Sequence, residues 1–543
     1  MRTRPLAVAM LIGILAVACR EAPPCARCDT LVIAATGEPH ALLPPLVGET
    51  VGRDVSDLIF ERLASLAPGA APVDSAGYHP GLAVRWERVD SLTLRFHLRP
   101  GARWHDGAPV SAADVAFSFA AYADSSVDAP ARASIAGRVM AVAENDSTVL
   151  VRFRAPDPEQ WYDATWHVRI LPRHIWDSIP RARWAADTTS ARLVGSGPYR
   201  LLSRVNGRSL TLERADSAAA APAIRRVIWR FTGDQDAALN LLLSHEADLL
   251  ETVGDSARVA RVVADSALGA SSYPSAVYGF LGFNLAAEES SRGRGAPVAI
   301  PPFASAAVRR ALAEATDRGS AARAVLGPGA VAPPGPMSRL LWINGDGIAV
   351  PPFDTVQAGR LLDSAGWRRG AAGVRRRGGK SLSVDILVPA SSVARRNLAQ
   401  VVQEMWRRVG VTATVTSVDF PVFQQRLRSG KFESFVGAWL DEPSPRSLGD
   451  QWTAAGIGTL NYTRYRSPDF DSLFHRAATW RGDPAGAKRA WQDAVTQLNG
   501  DAPGVWLYTP MNVAGVAKRV QGVAINPFSW LEGLPTWKLA PPS

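Results

Sequence analysis

From residue 381 onward the chain alternates in a way that few folds can satisfy. SLSVDILV (381–388) is a short apolar run with the look of a buried strand. Apolar residues then recur at Leu398, Val401, Val402, Met405 and Val409, three and four apart, which places one sticky stripe on a helix that Gly410 stops. VTATVTSV (411–418) is a second strand, and a shorter helix follows through Phe423 and Leu427. KFESFVGAWL (431–440) is a third strand. Strand, helix, strand, helix, strand demands a parallel sheet with helices packed on its faces. In such sheets ligands gather beyond the carboxyl ends of the strands. The last of these strands ends at Trp439-Leu440-Asp441-Glu442-Pro443, so a tryptophan and two acids are expected at that edge.

One such unit cannot account for the whole molecule. With 543 residues the chain exceeds a single ordinary core, so two or three lobes are expected. LVIAAT (31–36) reads as a buried strand, and the spacing of Val55, Leu58, Ile59, Leu63 and Leu66 predicts a helix reaching residue 66. Leu92, Leu94, Phe96 and Leu98 alternate as a half-buried strand. Asp106-Gly107 then supplies a turn, and Ser111 with Asp114 predicts a near capping box at a helix start. GSGPY (195–199) is a loop, residues 208–214 and 223–231 are strands, and Leu239, Leu242 and Leu243 share a helical side. VYGFLGFNL (277–285) is another strand, whereas residues 291–302 interrupt the pattern flexibly. Ser305 and Asp354 are candidate helix caps, the second helix ending at Gly366.

The termini and the charges narrow the function classes. A basic MRTRP start precedes a 13-residue apolar run (6–18) that ends in small residues, the form of a secretory signal. It falls short of the roughly 20 residues that cross a bilayer. L-A-V-A-Cys19 resembles the bacterial lipobox, with Ala16 where leucine is commoner, so Cys19 is the expected lipidation site and the only anchor to the membrane. Cleavage near Ala18 with a free thiol is the alternative. Cys25 and Cys28 form a lone C-x-x-C, too few ligands for zinc, and an exported compartment favours a disulfide there. The net charge of +10 is mostly arginine and scattered, without a basic helix or zinc-finger spacing, so nucleic acid is not an expected partner. Eight dispersed histidines contain no H-E-x-x-H; His97 with His105, and His167 with His174, read as structural. No metal and no cofactor is expected.

The segment FHLRPGARWHDGAPVSAADVAFSF (96–119), with Trp86 ahead of it, resembles the signature of family 5 of the bacterial solute-binding proteins, the extracytoplasmic peptide- and nickel-binding lipoproteins of ABC importers. EPHALLPP (38–45), LPRHIW (171–176), GSGPYRL (195–201), FASAAVRRALAEATDR (303–318), FDTVQAGRLLDSAGW (353–367) and NYTRYRSPDFDSLF (461–474) are similar in the same order. The resemblance implies an α/β fold of mixed sheets with flanking helices, a two-lobe clamp of the periplasmic-binding-protein class II type with an extra domain. It places a signal peptide at 1–18 and a lipidated tether at 19–28. Domain I would comprise 29–72, 190–272 and 512–543; domain II the insertion 73–189; domain III, the opposite lobe, 273–511.

The resemblance also implies site residues. Peptide-binding relatives hold an extended peptide by main-chain hydrogen bonds, and a carboxylate just after a tryptophan meets the peptide's amino terminus. That tryptophan corresponds to Trp439, and the carboxylate to Asp441 or Glu442, a choice the altered spacing leaves open. Both acids could equally decorate an exposed loop. Tyr508 matches a cleft tyrosine or is simply core, and the arginine some relatives place before the tryptophan is absent from SFVGAW. The implied protein is a monomer that is not an enzyme and that passes a peptide to an ABC permease outside the cytoplasm, on the periplasmic side of the envelope. A metal chelate, opine or sugar as solute, or a sensor as recipient, are the alternatives. A secreted hydrolase would need a nucleophile–base set, and GSGPY lacks the G-x-S-x-G arrangement.

Overall fold

A computed structural model describes residues 27–187, 189–216, 221–286 and 301–541. The expected signal, Cys19, Cys25 and most of the 291–302 interruption lie outside the described residues. Cys28 is disulfide-bonded.

The alternating segment folds as its pattern requires. Ser383–Pro389 pairs in parallel with Thr412–Val418 on one side and Ser434–Leu440 on the other. Val277–Phe283 and Gly504–Tyr508 extend this sheet antiparallel to five strands. Helix Val393–Arg408 starts where the Ser392 hydroxyl accepts the Arg395 N–H, and it stops before Gly410, whose φ of 86° a side chain would resist.

A seven-stranded sheet is built from distant parts of the chain. Thr30–Thr36 lies in its middle, parallel to Arg226–Thr232 and Leu249–Leu250. Met511–Ala517 and Leu268–Pro274 close one side; Ser209–Arg214 and Tyr199–Val205 close the other. A four-stranded sheet of Ala83–Asp90, Thr93–Leu98, Thr148–Phe153 and Val139–Asn145 packs beside it. One continuous apolar core, from Leu31 to Trp537, serves both of these sheets. Two separate cores, around Trp406 and around Trp452, cover the faces of the five-stranded sheet. Core membership therefore divides the molecule into two lobes.

The helix expected to reach residue 66 is Thr50–Ile59 only, and Ala64–Leu66 is a strand paired with Tyr78–Pro80. Its end is set by a distant loop. The Gly197 N–H donates to the Ile59 carbonyl at 2.8 Å, and a Cβ at Gly195 would stand 1.8 Å from that oxygen. The glycines of GSGPY thus let two backbones touch. His105 secures the same loop, its Nδ1 accepting the Gly195 N–H at 3.2 Å and its Nε2 lying 3.0 Å from the Gly197 carbonyl. Trp104 is fully buried, and Asp106 pairs with His174 at 2.7 Å. The Arg-Trp-His-Asp corner is a joint. The Ser111–Asp114 capping box is present.

Two chain crossings join the lobes, one between Pro274 and Val277, the other between Tyr508 and Met511. They run side by side: the Ser275 N–H donates to the Pro510 carbonyl at 3.2 Å. Antiparallel neighbours with this connectivity form a hinge about one line.

Candidate functional site

A cavity of about 290 Å³ lies where the lobes meet. Pro44, Pro45, Val47, Gly48, Arg53 and Phe528 come from the seven-stranded lobe, His167 and Arg169 from the segment after the four-stranded sheet, and Ala276, Asp441 and Glu442 from the opposite lobe. Asp441 sits one residue past the end of Ser434–Leu440, the edge at which the parallel sheet was expected to gather ligands. Its N–H donates to the Ala276 carbonyl at 2.8 Å, which fixes it beside the first crossing. One carboxylate oxygen accepts the Ser338 N–H. Burial pushes the Asp441 carboxyl up to about 7, and the group makes no ion pair among the described residues. Glu442 is exposed and accepts the Tyr162 hydroxyl at 3.2 Å.

Arg53 and Arg169 supply the positive charge. Arg169 is committed, its Nε donating to Asp57 at 2.7 Å, and Asp57 also receives Arg62 and the Ser529 hydroxyl. Arg53 forms no ion pair among the described residues, and its Nε is buried without a partner. The cavity therefore opposes an underused carboxyl to an underused guanidinium.

Of the four residues singled out in the sequence, Asp441 and Glu442 share this cavity, while Trp439 and Tyr508 do not line it. Trp439 pairs with Tyr278 across the sheet and stacks on Tyr462 at 5.8 Å, packing toward the core around Trp452. Tyr508 pairs with Gly279, where a Cβ would stand 2.0 Å from its ring, and belongs to the core around Trp406. The two aromatics face opposite sides of one sheet. Burial raises the Tyr508 phenol while Arg395 facing it pulls it back.

Sequence reasoning missed Arg53, Ser338 and Arg446. Arg446 reaches across the lobe boundary to Asp157 at 3.2 Å, Glu159 at 2.8 Å and Asp163. The Ser444 hydroxyl also donates to Glu159. Burial pushes Glu159 up to about 7, whereas Asp163, though buried, is held below the usual carboxylate range by His167 and Arg446. No spacing in the sequence announces this cluster, because its partners lie some 283 to 289 positions apart.

Among the described residues no group of three or more metal-ligating side chains occurs, and no helix is long and apolar enough to cross a membrane.

Comparison with known proteins gives a consistent result. The description "Bacterial extracellular solute-binding proteins, family 5 Middle" matches residues 77–458. The oligopeptide-binding protein AppA of Bacillus subtilis is 22% identical over 94% of this chain and 91% of its own length. The dipeptide-binding protein of Escherichia coli is 22% identical over 92% of this chain and 93% of its own. The crystal structure of the ABC transporter substrate-binding protein CtaP of Listeria monocytogenes shares the fold, with a TM-score of 0.80 at 21% identity, covering 94% of this chain and 99% of that one.

Proposed function

Because the chain belongs to the bacterial extracellular solute-binding proteins of family 5, we propose that it captures a peptide between its lobes, unaltered, and hands it to an ABC-type importer. The peptide-binding names of its relatives in Bacillus subtilis and Escherichia coli support that cargo. The observation that carries the reading is Asp441, a buried carboxyl that makes no ion pair among the described residues, in a cavity to which both lobes contribute. A peptide's ammonium satisfies it through a charge-assisted hydrogen bond in a site closed from water. Arg53 is the matching group for a carboxylate. Closure about the paired crossings then couples capture to shape, the signal a permease can read.

The domain division follows the same reading: domain I from 29–72, 190–272 and 512–543, domain II from 73–189, domain III from 273–511. A lipid on Cys19 tethers the protein outside the cytoplasm, where it acts as a monomer. Trp439 and Tyr508 support the cleft rim from behind, and Asp441, rather than the exposed Glu442, meets the amine.

Native mass spectrometry of freshly purified protein tests the cargo, since tight cleft ligands co-purify. Calorimetry with a peptide and its N-acetylated twin tests the anchor: the free amine is expected to bind at least about tenfold tighter. Equal affinities would overturn the amine anchor at Asp441, and a co-purifying sugar would overturn the peptide reading.

A further inference from the structure

A second cavity, of about 440 Å³, opens at the carboxyl ends of Thr30–Thr36 and Leu249–Leu250, within the seven-stranded lobe. Asp54 and Glu251 line it, with Trp229 and Trp530 in its wall. Asp54 is 4% exposed, yet its carboxylate makes no hydrogen bond and no ion pair among the described residues, and the Glu251 carboxylate likewise makes none. A buried acid in this condition is costly, and proteins tolerate it chiefly where it serves a ligand.

The same lobe shows what a structural acid looks like. Asp248, also 4% exposed, receives the Val32 N–H at 2.8 Å and two arginines, Arg27 and Arg519. Asp57 is held by Arg62, Arg169 and Ser529. Asp54, three positions before Asp57 on one helix, has no such set. Its neighbour Arg53 lines the other cavity and makes no ion pair with either acid among the described residues, although its charge pulls both carboxyls partly back down. Gln235, in the same wall, spends its amide N–H on the Thr252 carbonyl. Burial raises both carboxyls, and the charge of Glu251 raises Asp54 further. A cation placed between them would relieve both penalties together. Two carboxylates fall well short of the six or more oxygens that calcium or magnesium requires, so an organic cation is the better fit.

We propose that the Asp54–Glu251 cavity is a subsite for a cationic group of the ligand, an ammonium or guanidinium of the lysine or arginine kind, which biases the protein toward basic solutes. This rests on the peptide-capture reading for the form in which the cation arrives.

Calorimetry with Ala-Arg-Ala, Ala-Lys-Ala, Ala-norleucine-Ala and agmatine, against wild type, Asp54→Asn and Glu251→Gln, tests it. Wild type is expected to favour the two basic peptides over the norleucine peptide by about tenfold or more, and each variant to erase that preference while still binding the norleucine peptide. Asp54→Asn is also expected to raise the melting temperature of the ligand-free protein, because it removes an unpaired buried charge. Peptides bound without charge preference would overturn the subsite and leave peptide capture standing. Agmatine binding that depends on Asp54, with no peptide bound, would keep the subsite and overturn peptide capture. A preference that survives both variants, a melting temperature lowered by Asp54→Asn, or no binding of any probe would each overturn the subsite.

Discussion

Replacing Arg446 by Met removes a cation that faces three acids across the lobe boundary, two of which, Asp157 and Asp163, keep Arg138 from their own side. In this structure Arg446 lies within 3.2 Å of Asp157 and 2.8 Å of Glu159 and also pairs with Asp163, whose side chain is 2% exposed. When the lobes part, these acids meet water and need no partner. The substitution therefore penalises the closed state alone. Removing one member of a buried pair costs about 3–5 kcal/mol. The lower figure applies here, because 21% of the Arg446 side chain meets solvent. About 3 kcal/mol corresponds to roughly 150-fold in the closed-to-open ratio, and ligand affinity falls by up to the same factor if only the closed form binds tightly. Protonation supplies an escape. Glu159 is raised to about 7 when closed, against 4.5 for an unperturbed glutamate, so the closed state holds the extra proton. Closure thus gains as pH falls from about 7 toward 4.5, a gain that is absent above 7, and the cost of Arg446→Met is greater at pH 8 than at pH 6. Small-angle scattering of the ligand-free protein together with calorimetry reads both quantities. A variant whose profile and dissociation constant stay within threefold of wild type at pH 8 would refute the latch.

Asp441→Asn is expected to weaken a free-amine peptide at least about tenfold while leaving its N-acetylated form unchanged, measured by calorimetry. In wild type the free-amine affinity falls as pH drops through about 7, where the ligand-free Asp441 gains a proton, so comparing pH 8 with pH 6 separates this loss from the opposite trend of closure. Gly195→Ala forces a Cβ to 1.8 Å from the Ile59 carbonyl, a contact that must move two backbones, and is expected to cost about 1–3 kcal/mol in thermal or urea unfolding. Gly279→Ala collides with the Tyr508 ring at 2.0 Å and is expected to destabilise the protein by a similar amount, about 1–3 kcal/mol.

The sequence carried the parallel unit from 381 to 440 because period, caps and breakers all agree there, and Gly410 and Gly430 end its helices with φ of 86° and 71°. It misled at residues 60–66, where apolar spacing continued a helix that a glycine loop from residues 195–197 cuts short. Spacing records which residues are apolar; it holds no trace of a backbone arriving from 136 positions away (Gly195 against Ile59). The site divides in the same manner. The place of Asp441 at a strand end was legible because strand ends are marked locally; the burial that separates it from Glu442, 4% exposed against an exposed side chain, was not. Trp439 and Tyr508 looked like companions, yet their partners across the sheet, Tyr278 and Gly279, are consecutive and so point oppositely. Register between distant strands decides that, and no local pattern encodes it.

On the peptide-capture reading proposed above, the hinge gives the two charged clusters separate duties. Asp441 is tied by its own N–H to Ala276, inside the first crossing, and the second crossing is bonded to the first through Ser275 and Pro510. A group anchored on the pivot line keeps its place when the lobes rotate, so Asp441 can receive a ligand's amine before closure begins. Arg446 lies beyond it in the chain and is bonded to acids of the other lobe, so parting of the lobes would take those partners away. Ligand contact at the pivot and latch contact across the gap are then sequential, and the energy of the second adds to the affinity measured at the first. Asp441→Asn should therefore slow or abolish capture in a way that depends on the ligand's amine, and Arg446→Met should speed release of every ligand alike. Stopped-flow association and dissociation rates for a free and an N-acetylated peptide distinguish these patterns, and an Arg446→Met variant whose release rates change for only one of the two peptides would break the sequence proposed.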